Sequence, residues 1–205
     1  MTPLLEVRAL SLSFEGQLLF EELDFAVSSG ELCLLYGPAA SGKSSLLSTL
    51  MGLQTKAAVK GAIVLRSSEI QDLPTEKRVK AGLALIPENR PIFPELSVRD
   101  HLRLSQNLNS ELLSLFPLFE ERHAQLAGTL SGGEQAVLSV LMIEPLNPAI
   151  ILWDMPLKGL APNWVQNIFR IIRHFRSKGT ALLMAVQNPA DWEEFQPQML
   201  PLGNL

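Results

Sequence analysis

Eight residues, Gly37 to Ser44, read GPAASGKS and fit the pattern G-x-x-x-x-G-K-[ST] at every fixed position. The chemistry this spacing serves is the holding of a triphosphate. Glycines at 37 and 42 let successive backbone N–H groups and a helix N-terminus point at an anion without a Cβ in the way. The ammonium of Lys43 then reaches the β- and γ-phosphates, and the hydroxyl of Ser44 reaches Mg²⁺. A second candidate is Asp154, which ends the apolar run Ala149-Ile150-Ile151-Leu152-Trp153, the arrangement of a buried parallel strand that delivers one carboxylate to its C-terminal edge and supports Mg²⁺ there. A third is Leu130-Ser131-Gly132-Gly133-Glu134-Gln135, a capping box that opens a helix. Two glycines in a first turn cost about 1 kcal/mol each relative to alanine, so something must require the backbone to be bare. Close approach of a phosphate is the expectation.

These groups need a scaffold, and the surrounding pattern supplies one. Leu32 to Tyr36 reads as a buried strand running into the phosphate loop, and Ser44 to Met51 as the helix that leaves it. A Gly/Ser-rich turn capping an ordinary helix would not need both in register. Leu5 to Phe25 alternates as two strands joined by a turn at Glu15-Gly16-Gln17, an antiparallel edge, and Gly61 to Leu65 is strand-like. A helix begins near Pro74, and a core strand, Leu83 to Ile86, ends at Pro87-Glu88. The leucine-rich segment from about Ser97 to Gln125, broken by Pro117, reads as a helical insertion. The helix opened at Ser131 is expected to stop at Pro145. Another spans Pro162 to Lys178 with Gly179 as its stop, and Ala181 to Val186 is a further buried strand. No element is assigned beyond Gln196. The expected fold is α/β, a mostly parallel core sheet with an antiparallel β edge, forming a single domain over 1–205 with a helical subdomain inserted at about 89–145.

Composition narrows the classes of function. The chain has 205 residues, 47% of them hydrophobic, enough for a packed core, and a net charge of −4 with no Lys/Arg stripe, which argues against a nucleic-acid partner. Arg170, Arg173, Arg176 and Lys178 share one helix and read as a solvated face. The single cysteine, Cys33, lies in a core strand and has no disulfide partner. No apolar stretch approaches a membrane span and no signal peptide is visible, so direct membrane insertion is not expected. His101, His123 and His174 lack metal-ligand spacing, and Trp153, Trp164 and Trp192 read as packing aromatics.

With the phosphate loop, LSGGEQ resembles the signature of ABC-type ATPases, a P-loop NTPase class, and the resemblance runs from about Leu4 to Pro189. A finer resemblance is to the ATP-binding subunits of bacterial branched-chain amino-acid and urea/amide ABC importers. It rests on Leu85-Ile86-Pro87-Glu88-Asn89-Arg90-Pro91-Ile92-Phe93-Pro94, Ala127-Gly128-Thr129, Gly159-Leu160-Ala161-Pro162 and Val186-Gln187-Asn188. The resemblance implies that Phe14 stacks on adenine, and that Gly37, Pro38, Ala39, Ala40, Ser41, Gly42, Lys43, Ser44 and Ser45 bind the phosphates of ATP and Mg²⁺. It implies that Ser131, Gly132, Gly133 and Glu134 complete the ATP site of a second subunit, and that Ser44, Glu88 and Asp154 surround the metal. Glu88, Asp154 and Gln187 become the catalytic set, Glu88 standing where most relatives have a glutamine and Gln187 where many have a histidine. Implied partners are a second ATP-binding subunit, identical or not, and transmembrane permease subunits. The implied place is cytoplasmic, peripheral on the inner face of a bacterial plasma membrane.

One departure matters for chemistry. Where the family places a glutamate after the strand-end aspartate, this chain reads Asp154-Met155-Pro156. A thioether cannot accept the proton of an attacking water, and loss of a general base is worth roughly 10²- to 10⁴-fold in rate while ground-state binding need not suffer. The resemblance also implies a shortened segment between Glu88 and Ser131, and final strands eroded or absent after Pro189. The expected function is therefore the ATP-binding subunit of an ABC importer with hydrolysis at its own site impaired. The alternatives are a non-catalytic ABC-like ATP-binding regulator and a soluble P-loop kinase or GTPase, the latter giving no reason for the glycines after Ser131.

Overall fold

The computed structural model describes residues 2–14, 17–54, 57–89, 92–106 and 110–203. The turn expected at Glu15-Gly16, and Arg90-Pro91 of the segment after Glu88, lie outside the described residues. Alternation at the N-terminus produces two long strands, β1 (Leu5–Phe14) and β2 (Gln17–Val27), paired antiparallel. On the other side of β1 lies β4 (Ala57–Leu65), which turns into the short β5 (Ser68–Glu69), giving an antiparallel sheet of order β2-β1-β4-β5.

The continuous apolar runs form the second sheet. It contains β3 (Leu32–Tyr36), β6 (Leu83–Ile86), β7 (Ile150–Asp154), β8 (Ala181–Ala185) and β9 (Gln198–Pro201), parallel throughout and ordered β6-β7-β8-β3-β9. Strand β9 corrects the sequence expectation: the chain after Pro189 is not eroded but makes a 3₁₀ turn, Pro189–Phe195, and returns to pair with β3. Pro197 just before it and Pro201 at its end hid it, because an edge strand tolerates prolines that an interior strand cannot.

Side chains of the parallel strands alternate between two cores. Cys33, Leu35, Ile150, Leu152, Leu183 and Ala185 face one, shared with the antiparallel sheet and with α1 (Lys43–Met51) through Leu46, Leu47 and Leu50. Leu32, Leu34, Ile151, Trp153, Leu182 and Met184 face the other. That side is covered by α6 (Gly132–Leu141), α7 (Pro162–Ser177) and the short helices α3 (Val98–Leu104), α4 (Glu111–Ser114) and α5 (Leu118–Glu121). The leucines of these short helices, Leu102, Leu112 and Leu113, are buried in the same cluster as the strands. Helix α2 (Thr75–Ala81) begins directly after Pro74. The buried Arg78 on α2 donates to the carbonyls of Thr49 and Leu50, satisfying the C-terminus of α1.

One boundary differs from expectation. Helix α6 ends at Leu141, before Pro145, which instead lies in a 3₁₀ turn, Glu144–Leu146. The basic side chains of α7 are not simply a solvated face: Arg176 donates to the carbonyls of Gly30 and Phe195, and Arg173 pairs with Glu194. His101 is fully buried in α3, its Nε2 accepting from the backbone N–H of Phe93 and its Nδ1 donating to the carbonyl of Ser97. Cys33 is buried, which pushes its thiol up to about 12.

Candidate functional site

Register brings the reactive groups to one edge. Asp154, the last residue of β7, pairs with Ala185 of β8, and the N–H of Met155 donates to the Ala185 carbonyl at 2.9 Å. The N–H of Val186 donates to the carbonyl of Leu35 in β3, one residue before Tyr36 and the loop. The Gly37–Ser45 loop, the Asp154-Met155 pair and Gln187 therefore leave three neighbouring parallel strands at their carboxyl ends, where ligands of such sheets bind. Helix α1 has no acidic residue in its own first turn and no side-chain cap, so the positive end of its dipole faces the loop. Pro38, Ala39 and Ala40 are exposed, and Ser41 and Ser45 are half-buried.

Lys43 folds back over this loop. Its Nζ donates to the carbonyls of Gly37 and Pro38 at 2.8 Å each and to Ser41 Oγ at 3.1 Å. Burial lowers its pKa, against the opposing pull of the Asp154 charge. Asp154 is only 8% exposed, and its Oδ1 has no hydrogen-bond partner. Desolvation raises its pKa, a hydrogen bond from Ser44 lowers it, Glu88 adds to the rise, and Lys43 and Lys158 oppose it. A buried carboxylate oxygen with no donor, beside a hydroxyl, is a set of hard oxygen ligands that fits Mg²⁺. The structure thus brings Ser44 and Asp154 together. Glu88 is close enough to act on Asp154 through its charge, but its own carboxylate is engaged by the ammonium of Lys158.

Met155 sits at φ 50°, with its side chain beside a cavity of about 280 Å³ that Lys158, Gln187, Asn188, Asp191 and Trp192 also line. Gln187 is exposed there, in place to meet a group entering from outside. Elsewhere, Ser131 caps α6 as the sequence predicts: Ser131 Oγ accepts from the N–H of Glu134 at 3.3 Å, and Glu134 Oε2 accepts from the N–H of Ser131 at 2.8 Å. The other oxygen of Glu134 accepts from Arg122, so this glutamate serves the turn itself. Ser131 is exposed, Gly132 half-buried and Gly133 buried. Phe14 is the last residue of β1, its backbone paired with Gln17 and Ala57, and its side chain lies outside the described part of the structure.

A profile of the ABC transporter family matches residues 20–158, a span that holds the phosphate loop, the Ser131–Glu134 turn and Asp154. The chain belongs to the ABC transporter family. Among its ABC relatives, the high-affinity branched-chain amino acid transport ATP-binding protein BraG of Pseudomonas aeruginosa is 35% identical over 176 residues, covering 82% of this chain and 75% of BraG. The lipopolysaccharide export system ATP-binding protein LptB of Escherichia coli is 30% identical over 195 residues, covering 90% of this chain and 80% of LptB. A solved ATP-binding subunit of an ABC transporter superposes with a TM-score of 0.81 at 27% identity, over 98% of this chain and 86% of that one. A nucleotide-free ATP-binding cassette superposes with a TM-score of 0.83 at 21% identity, over 99% and 88%.

Three features of this ABC protein's site were not legible in its sequence. A Cβ on Gly37 would lie 2.0 Å from the carbonyl oxygen of Leu202, whose N–H donates to Tyr36 at 2.7 Å, so the segment after β9 braces the loop from behind. Lys158 pairs with Glu88 across 70 positions of chain. Trp164 lies against Gly133. Each is a contact between distant segments, and neither spacing nor residue type announces it.

Proposed function

We propose that this ABC protein is the ATP-binding subunit of a bacterial importer for branched-chain amino acids or related amides, and that it holds Mg-ATP at its own site while hydrolysing it slowly. The observation that carries the reading is the junction of Lys43, Ser44 and the donorless buried Oδ1 of Asp154, followed at once by Met155. Lys43 would exchange its bonds to the Gly37 and Pro38 carbonyls for phosphate oxygens, and the amides that open α1 would point at the same anion. Ser44 and Asp154 would hold Mg²⁺, which would supply neutralisation of phosphate charge, and Glu88 would join them on leaving Lys158. Met155 can exclude water but cannot take a proton from it, whereas Gln187 can hold the attacking water without serving as its base.

BraG supports the importer reading, as do Ile86-Pro87-Glu88, Gly159-Leu160-Ala161-Pro162 and Gln187, which resemble its subfamily. The identity to LptB favours a second reading, service to an exporter. Among the described residues no helix is long and apolar enough to cross a membrane. In either role permease subunits would hold the chain at the inner face of the membrane. Calorimetry and turnover on one preparation test the site. Mg-ATP should bind, turnover should be slow, and Lys43→Ala should abolish binding. Unchanged affinity in that variant sinks the nucleotide assignment, and turnover normal for an ABC ATPase sinks the retention reading. Copies of this chain recovered with an export complex would decide for the second role.

A further inference from the structure

We infer that Trp164 is a positioning residue for the Ser131–Glu134 turn, and that Gly133 is a glycine because the Trp164 ring occupies the space a side chain would need. A Cβ built on Gly133 would stand 2.3 to 2.5 Å from three indole carbons, Cγ, Cδ2 and Cδ1. Real Cβ atoms do not approach ring carbons so closely. Nor can the ring step aside freely, because Trp164 is half-buried and packs against the core cluster that contains Val137, Ile168 and Trp153. Its backbone is fixed as well: the N–H of Trp164 donates to the carbonyl of Ala161 in the first turn of α7, which Ala161 caps.

The placement links two functional segments of one subunit. Residues 155–161 connect the Asp154-Met155 edge to α7, and Trp164 carries the start of that helix onto the second residue of α6. A shift of the 155–161 segment that moves α7 would therefore press on or release the signature turn through one aromatic face. The turn's own capping box closes it through Ser131 and Glu134, the buried face of α6 seats it on the core, and the Trp164 ring packs over it at Gly133, shielding its bonds. The requirement for a bare backbone at Gly133 is thus met inside the chain, whether or not a phosphate of a second subunit also approaches.

The consequence for catalysis rests on the proposed ATP-dependent pairing, but the contact itself can be tested on the free chain. Amide hydrogen exchange read residue by residue should be at least about tenfold faster at Glu134 and Gln135 in Trp164→Ala, since their N–H groups bond to Ser131, while exchange at Leu152 and Leu183 in the central strands stays as it was. Trp164→Phe, which keeps a ring, should restore protection. Gly133→Ala should be strongly destabilising with Trp164 present and much less so combined with Trp164→Leu, a comparison that also serves if Trp164→Ala does not fold. Exchange that rises equally everywhere, or not at all, overturns the positioning role. An equal loss of stability from Gly133→Ala in both backgrounds overturns the steric one. Mg-ATP affinity measured on the same samples keeps the two readings apart: absence of binding in the unmodified chain counts against the nucleotide assignment and leaves the exchange result standing.

Discussion

Met155 is held in a left-handed backbone conformation, φ 50°, that costs a side-chain-bearing residue about 1–2 kcal/mol. The sheet imposes it, since the N–H of Met155 is tied to Ala185 while its neighbours Asp154 and Pro156 are buried. Because register sets this geometry, a different side chain at 155 inherits it and enters the same cavity beside Gln187 and Lys158. Met155→Glu is therefore expected to raise single-turnover hydrolysis by at least about tenfold, with little change in Mg-ATP affinity, if a proton acceptor is what the site lacks. No increase in the assembled complex would show that more than the base is missing.

At the scale of elements, the strand β9 brings the chain up behind the phosphate loop. It adds a fifth strand beside β3, and the residue that follows it, Leu202, is buried, with its N–H bonded to Tyr36 and its carbonyl against Gly37. The loop is thus backed by a strand end and not by solvent. Leu202→Ala should cost about 2–5 kcal/mol in urea unfolding, the usual range for truncating a buried leucine, and should weaken Mg-ATP binding to the extent that the side chain holds the 202 backbone against the loop. If stability falls and affinity does not, β9 stabilises the sheet without supporting the site. The short helices α3 to α5 act differently: their buried faces anchor them to the core, while Phe93, Leu104, Leu115 and Leu126 stay exposed around them.

At the scale of the molecule, the two functional segments lie on different layers. The phosphate loop leads into α1, in the core shared with the antiparallel sheet, and the Ser131–Glu134 turn opens α6 on the opposite face of the parallel sheet. A chain built this way can present its signature turn to a second subunit while its own loop holds nucleotide. Under the proposed slow hydrolysis, a partner that has a glutamate after its strand-end aspartate would make the two sites unequal, and Ser131→Ala in this chain should lower turnover at the partner's site. Measured on the assembled complex, equal loss from Ser131→Ala and Lys43→Ala, with no residual partner turnover in either, would argue against such asymmetry.

The parts whose physics is local were legible along the chain. GPAASGKS between an apolar run and a helix, the capping box at Ser131, and an apolar strand ending in Asp154 are each set by neighbours a few residues away, and each stands in the structure where the pattern put it. Tertiary structure alone decided the rest. Pairing of β9 with β3, Lys158 with Glu88, Leu202 behind Gly37 and Trp164 on Gly133 all join segments that only the folded sheets bring within contact. Their energies come from packing and hydrogen bonding across the core, terms that depend on which surfaces meet and not on the order of residues along the chain.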